Sequence, residues 1–205
     1  EATISLLTDA EIIGTELVKL NSKRLITDRD SKIQVTQSNA QLNINATYDQ
    51  LSPYAVQLSG DLLGTGANTA INITAPSIIL LGSGLISAQA EVDIDAKRVT
   101  TDTGSEIFSF ETNSKIQIDA TEQIKLAGLI ESKGDYAIAH IYADQTVTLL
   151  QGAIVSTPDD YSSSLISAGE LATLDAGSAV IAGARFDQIN GAPVAVKIAE
   201  GADAT

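Results

Sequence analysis

The chain has 205 residues, 44% of them apolar but only 4% aromatic, with no Cys, Met or Trp. Its 12 basic and 26 acidic residues leave a formal net charge of −14, which makes nucleic acid a poor partner and disfavours anionic membrane surfaces, since both call for a basic surface. The missing cysteines exclude a disulfide framework and a thiolate metal site, and a core without large aromatics must be narrow and filled by Ile, Leu, Val and Ala.

In chain order, residues 1–70 predict irregular coils. Strand-like phrases stand at 3–7, 16–20 and 32–35, broken by the charged stretch 23–32. Residues 9–20 also admit a helix, but their β-branched content and Gly14 favour strand. From residue 42 one phrase recurs: apolar, any, apolar, any, Ala. It reads Leu42-Asn43-Ile44-Asn45-Ala46, then Ile71-Asn72-Ile73-Thr74-Ala75, Val92-Asp93-Ile94-Asp95-Ala96 and Ile116-Gln117-Ile118-Asp119-Ala120, with a degenerate copy at Ala139-His140-Ile141-Tyr142-Ala143. From Ala75 to Ala143 the steps are 21, 24 and 23 residues, and the step from Ala46 to Ala75 is 29, which leaves room for a loop near Pro53.

Each phrase is followed by a Gly-terminated apolar segment and then by a third short one, as in Ile78-Ile79-Leu80-Leu81-Gly82 and Leu85-Ile86-Ser87-Ala88. Alternation with period two puts the aliphatic residues on one face. Segments this short cannot form independent sheets, but stacked coil on coil they make parallel ladders around a buried interior. The predicted fold is therefore all-β: a right-handed parallel β-helix, or β-solenoid, with three short strands per coil of about 21–25 residues. It forms a single domain over 1–205, irregular in 1–70, regular in 71–157 and Ala/Gly-rich in 158–205. A coil of about 22 residues implies roughly nine coils and a rod roughly 40 Å long. Solvent loops are expected at 49–54, 101–104, 131–135 and 157–164, and late strands at 179–182 and around Val194, Val196 and Ile198.

The recurring phrase, best between residues 71 and 157, resembles the haemagglutinin-type repeats of filamentous-haemagglutinin-like large exoproteins, adhesins exported by two-partner secretion. Bactofilin-like filament proteins, also β-solenoids, resemble it less. The first resemblance implies a secreted rod at the bacterial cell surface that spaces or displays other parts, with no catalytic residue to carry over.

Stacking the phrases in register predicts two outward rows. One holds Asn43, Asn72, Asp93, Gln117 and His140, and the other Asn45, Thr74, Asp95, Asp119 and Tyr142. Asp95 and Asp119 would face each other roughly 5 Å apart, so one should have a raised pKa or share a cation. Three readings follow: an acidic face screened by Lys97, Lys115 and Lys125, a surface Ca²⁺ site at Asp95 and Asp119, or the acid/base pair of a polysaccharide-cleaving β-helix. His140, the sole histidine, lacks carboxylates at metal-ligand spacing and a Gly-x-Ser-x-Gly elbow. The glycines around Thr65 and Ser83 make no phosphate-binding fingerprint. Asn45-Ala46-Thr47 and Asn72-Ile73-Thr74 are glycosylation sequons at outward positions.

No cofactor is expected beyond surface Ca²⁺. The expected partners are copies of the chain, or flanking coils of a longer one, meeting at the solenoid ends, together with a host or matrix ligand. The chain starts at Glu1, which suggests processing or excision from a longer solenoid. Nucleic acid and membrane insertion are not expected, because the apolar run 78–81 is far too short to span a bilayer. The functional expectation is a stiff structural section of a secreted adhesin or extracellular filament. The competing ones are a polysaccharide-cleaving enzyme and a receptor-binding module read out by its loops.

Overall fold

The computed structural model describes residues 2–48, 54–182 and 196–198. Every regular element among them is a strand, and the strands stack in parallel. They wind through about seven coils of a β-solenoid. Residues 9–20 form the strand Glu11–Gly14 and the start of Leu17–Ser22 rather than a helix. The roughly nine coils expected of a uniform repeat compare with these seven: the step from Ala46 to Ala75 is longer than the others, and residues 183–195 and 199–205 lie outside the described residues. Val194 and most of the loop expected at 49–54 lie outside the described residues, while Val196–Ile198 is a strand.

Two parallel sheets carry the winding, one of thirteen strands and one of eight. The larger contains two ladders side by side. The first face starts at Thr3–Leu6 and passes through Arg24–Thr27 and Val56–Leu58. The third face starts at Leu17–Ser22 and passes through Gln41–Ala46. The eight-stranded sheet between them, from Glu11–Gly14 to Ala179–Ala182, is the second face. Three separate short strands per coil are not what the middle of the molecule shows. There Ala70–Leu80, Glu91–Thr101 and Lys115–Leu126 run unbroken through both the third and first faces. The alanine corner bends the strand without ending it, and the register slips only between Ala96 and Arg98.

Inward side chains stack in columns. On the third face Ile44, Ile73, Ile94, Ile118, Ile141 and Ile166 are successive partners. On the second, Ile33, Leu62, Ile86, Ile107, Ile130 and Val155 are. All are buried. Each aliphatic residue contributes about 1.5–3 kcal/mol by burial, and repetition along the axis makes the core one continuous cluster.

The corners obey a rule that hydropathy did not reveal. Most are four-residue turns whose third residue has positive φ and whose fourth is small and turned inward. Between the first and second faces the third residue is Asp9, Asp30, Gly104, Gly152 or Gly177. Between the second and third faces it is Asn39, Asn68, Asn113, Tyr136 or Tyr161. Asp, Asn and Gly adopt this conformation readily, whereas a bulky residue pays about 1–2 kcal/mol. The small fourth residue often closes the turn: Ser31, Ser105 and Ser162 donate to the carbonyls of Asp28, Asp102 and Asp159, each at 2.7 Å. The expected loops at 101–104, 131–135 and 157–164 are these short turns, with strands reaching Thr101, Ser132 and Thr157.

Some coils skip a turn, which strands N–H groups at the corner. An inward threonine of the preceding coil then accepts them. Thr27 Oγ1 takes the N–H groups of Ser59 and Gly60, each at 3.1 Å, the first shared with the Thr27 carbonyl oxygen, and Thr69 Oγ1 takes that of Gln89 at 3.0 Å. Thr101 Oγ1 takes those of Ala127 and Gly128 at 3.0 and 3.4 Å. Gly128 is required at its corner because a Cβ there would run into the Ser105 carbonyl oxygen.

Candidate functional site

The outward side of the third face carries both rows expected from the sequence. Asn43 pairs in register with Asn72, Asn72 with Asp93, Asp93 with Gln117 and Gln117 with His140. The second row runs Asn45, Thr74, Asp95, Asp119, Tyr142 by the same pairings. Both expected rows are present, and Asp95 and Asp119 are direct neighbours on adjacent coils.

These rows line a continuous shallow groove along the axis. Its largest part, about 560 Å³, lies over the alanine corner, between Thr47, Thr74 and Pro76 on one side and Asp95, Lys97 and Thr121 on the other. At Thr74 it joins a depression of about 320 Å³ lined by Lys19 and by Asn21, Asn43, Asn45 and Asn72. At Asp95 and Thr121 it joins one of about 150 Å³ lined also by Asp119, Tyr142 and Asp144. The groove therefore grades from one lysine and a row of amides to a row of carboxylates and a phenol.

The amide end is internally bonded: Asn72 Nδ2 donates to Asn43 Oδ1 at 2.7 Å. That nitrogen is the atom a glycan would join, and Asn72 is half-buried, whereas Asn45 is exposed. At the acidic end Gln117 Nε2 donates to Asp119 Oδ2, while Asp119 Oδ1 is buried without a hydrogen-bond partner. Tyr142 donates its hydroxyl to Asp144 Oδ1 at 2.8 Å, and that bond, with the charge of Asp144, pushes its phenol pKa up. Asp93 has a raised carboxyl pKa, first through burial, then through the charges of Asp95 and Glu91, with Lys115 pulling it down. Asp95 and Asp119 thus both bear on Asp93, the acid of the neighbouring row.

Of the three lysines expected to screen the acids, Lys115 sits 3.4 Å from Glu91 and Lys97 lines the groove. Lys125 does not belong here: it pairs with Thr100 and Thr148 on the first face. His140 is half-buried between Gln117 and Leu165. Among the described residues no group of three or more His, Cys, Asp or Glu is arranged to hold a metal ion.

Sequence reasoning missed Lys19, Asn21 and Asp144. The signal for the first two was present, since Val18-Lys19-Leu20-Asn21-Ser22 is the recurring phrase with Ser in place of Ala, and Ser22 pairs with Ala46. No family model, curated protein or solved structure matches the chain. Fold and groove together define a parallel β-solenoid with a shallow lateral groove along its third face.

Proposed function

We propose that the chain is a structural, non-catalytic section of a secreted bacterial surface adhesin or extracellular filament, a stiff rod that joins further solenoid coils or copies of itself end to end. The supporting observation is the first coil. Among the described residues, Thr3–Leu6, Glu11–Gly14 and Leu17–Ser22 are each paired on the side of the second coil alone. The inward residues Ile4, Ile12 and Leu20 are only partly covered, whereas their partners Leu25, Ile33 and Ile44 in the second coil are buried. Such an edge offers unpaired backbone groups and apolar surface together, which a further coil satisfies. The resemblance of the coil phrase to haemagglutinin-type repeats supports the same reading, in which Asp95 and Asp119 form at most an accessory surface cation site.

Electron microscopy and sedimentation of the full chain over a concentration series test it. Rods that lengthen with concentration are expected, and Ile4→Lys with Ile12→Lys, which places charge on the partly covered end of the core, should shorten them. Compact particles of one size at every concentration would overturn axial joining. The polysaccharide-cleaving alternative draws on the presence of Asp95 and Asp119 in the groove. Polysaccharide turnover abolished by Asp95→Asn or Asp119→Asn would replace the structural reading.

A further inference from the structure

The chain has five Tyr and three Phe, and half of these eight line one edge of the solenoid. Phe108 closes the second face of one coil, Phe110 follows it, and Tyr136 and Tyr161 occupy the same corner in the next two coils. The Phe108 and Phe110 ring centroids lie 5.6 Å apart, with the Lys133 ammonium 5.5 and 5.7 Å from the two rings. Tyr136 and Tyr161 stack with centroids 5.0 Å apart and planes 10° from parallel. They are 52% and 46% exposed.

The turn itself does not ask for tyrosine. Earlier coils place Asn39, Asn68 and Asn113 at this corner position, where asparagine tolerates positive φ and a bulky ring does not. The last two described coils to form this turn therefore hold a costlier residue whose ring faces solvent. Ring stacking offsets part of that cost, but an asparagine would have incurred little. The two stacked rings present a flat apolar platform to solvent at this corner.

The surrounding charge narrows what such a platform can bind. Lys133 is neutralised by Glu131 at 2.8 Å. Asp159 Oδ2 accepts the Gly134 N–H at 2.6 Å, and Asp135 and Asp160 belong to the two tyrosine turns themselves. A polyanion is repelled here. A neutral sugar is not: its C–H bonds carry partial positive charge and pack on ring faces whose quadrupole is negative, and its hydroxyls donate to carboxylates. The patch spans three coils, roughly 10 Å. That suits a short glycan segment and falls well below the roughly 800 Å² per partner of a stable protein interface.

We infer that the edge formed by Phe110, Tyr136 and Tyr161 is a binding strip for a neutral oligosaccharide. It goes beyond the rod reading and stands independently of axial joining, since it lies on the side of the solenoid.

The test is NMR titration of the full chain with maltotriose, cellotriose and triacetylchitotriose, observing the tyrosine ring signals, alongside sedimentation. At least one of these sugars should bind in the millimolar range and shift the rings of Tyr136 and Tyr161. Tyr136→Asn with Tyr161→Asn should weaken that binding by at least about tenfold while the melting temperature holds or rises, because asparagine suits both turns. If the double variant fails to fold, Phe110→Thr lies outside the positive-φ positions and should weaken binding severalfold on its own. Absence of ring shifts with all three sugars would overturn the inference. So would unchanged affinity in a folded variant. Side-by-side dimers lost in the double variant, with no sugar bound, would assign the strip to a second copy and likewise overturn it.

Discussion

Asp93 interrupts a row of amides, and its replacement by asparagine tests both the register and the electrostatics of the third face. Its in-register neighbours are Asn72 and Gln117, and Asn72 already donates to Asn43 at 2.7 Å. An asparagine at 93 can extend that row by one side-chain hydrogen bond, with a net contribution of about 0.5–1.5 kcal/mol. It also removes a half-buried carboxylate whose pKa is raised by burial and by Asp95 and Glu91. A carboxyl raised in the folded state binds its proton more tightly there than in the unfolded chain. Its stabilising effect is complete below the unfolded value, 3.8, and is lost as pH rises through the folded value. Stability should therefore rise as pH falls from 7 toward 4, with Asp61 acting in the same direction through burial and the charge of Asp30. Asp93→Asn should be more stable than the parent at pH 7 by about 1 kcal/mol, or roughly 2–4 °C for a chain of this size. The advantage should shrink on acidification, because the parent gains from protonating Asp93 and the variant does not. Thermal and urea melts by circular dichroism at pH 7 and pH 4 measure both effects. A variant less stable than the parent at pH 7, or an advantage that grows on acidification, would refute the reasoning.

Two further substitutions probe the corners. Ser22 is buried with its hydroxyl unpartnered, in the row where Ala46 and Ala75 stand in later coils, so Ser22→Ala should stabilise by about 1 kcal/mol in a urea melt. Thr101→Val keeps the shape but leaves the N–H groups of Ala127 and Gly128 without their acceptor; it should cost roughly 1–3 kcal/mol, and amide exchange should quicken at those two residues first.

Much of this molecule is legible along the chain because its repeat unit is short. Period-two alternation at Ile71, Ile73, Ile94 and Ile118 decides which side chains face inward. The recurring alanine sets how the coils align, and together they place Asp95 beside Asp119. In a parallel ladder a one-residue slip turns every aliphatic outward, and a two-residue slip takes the alanines off their shared corner. That determines the outward rows as well.

What the chain alone did not decide depends on neighbours a coil away. Whether an alanine corner ends a strand or merely bends it is settled by backbone pairing on both sides, which is why Glu91–Thr101 is one strand and not two. Lys125 looked close to the acids in sequence, yet the corner between the third and first faces carries it to another side. Tyr136 and Tyr161 stand 25 residues apart in sequence, and only winding brings their rings to 5.0 Å. Inward positions follow from local alternation, because burial rewards each residue separately. Grooves and side-chain clusters follow from coil length, because the number of residues per turn decides which outward groups meet.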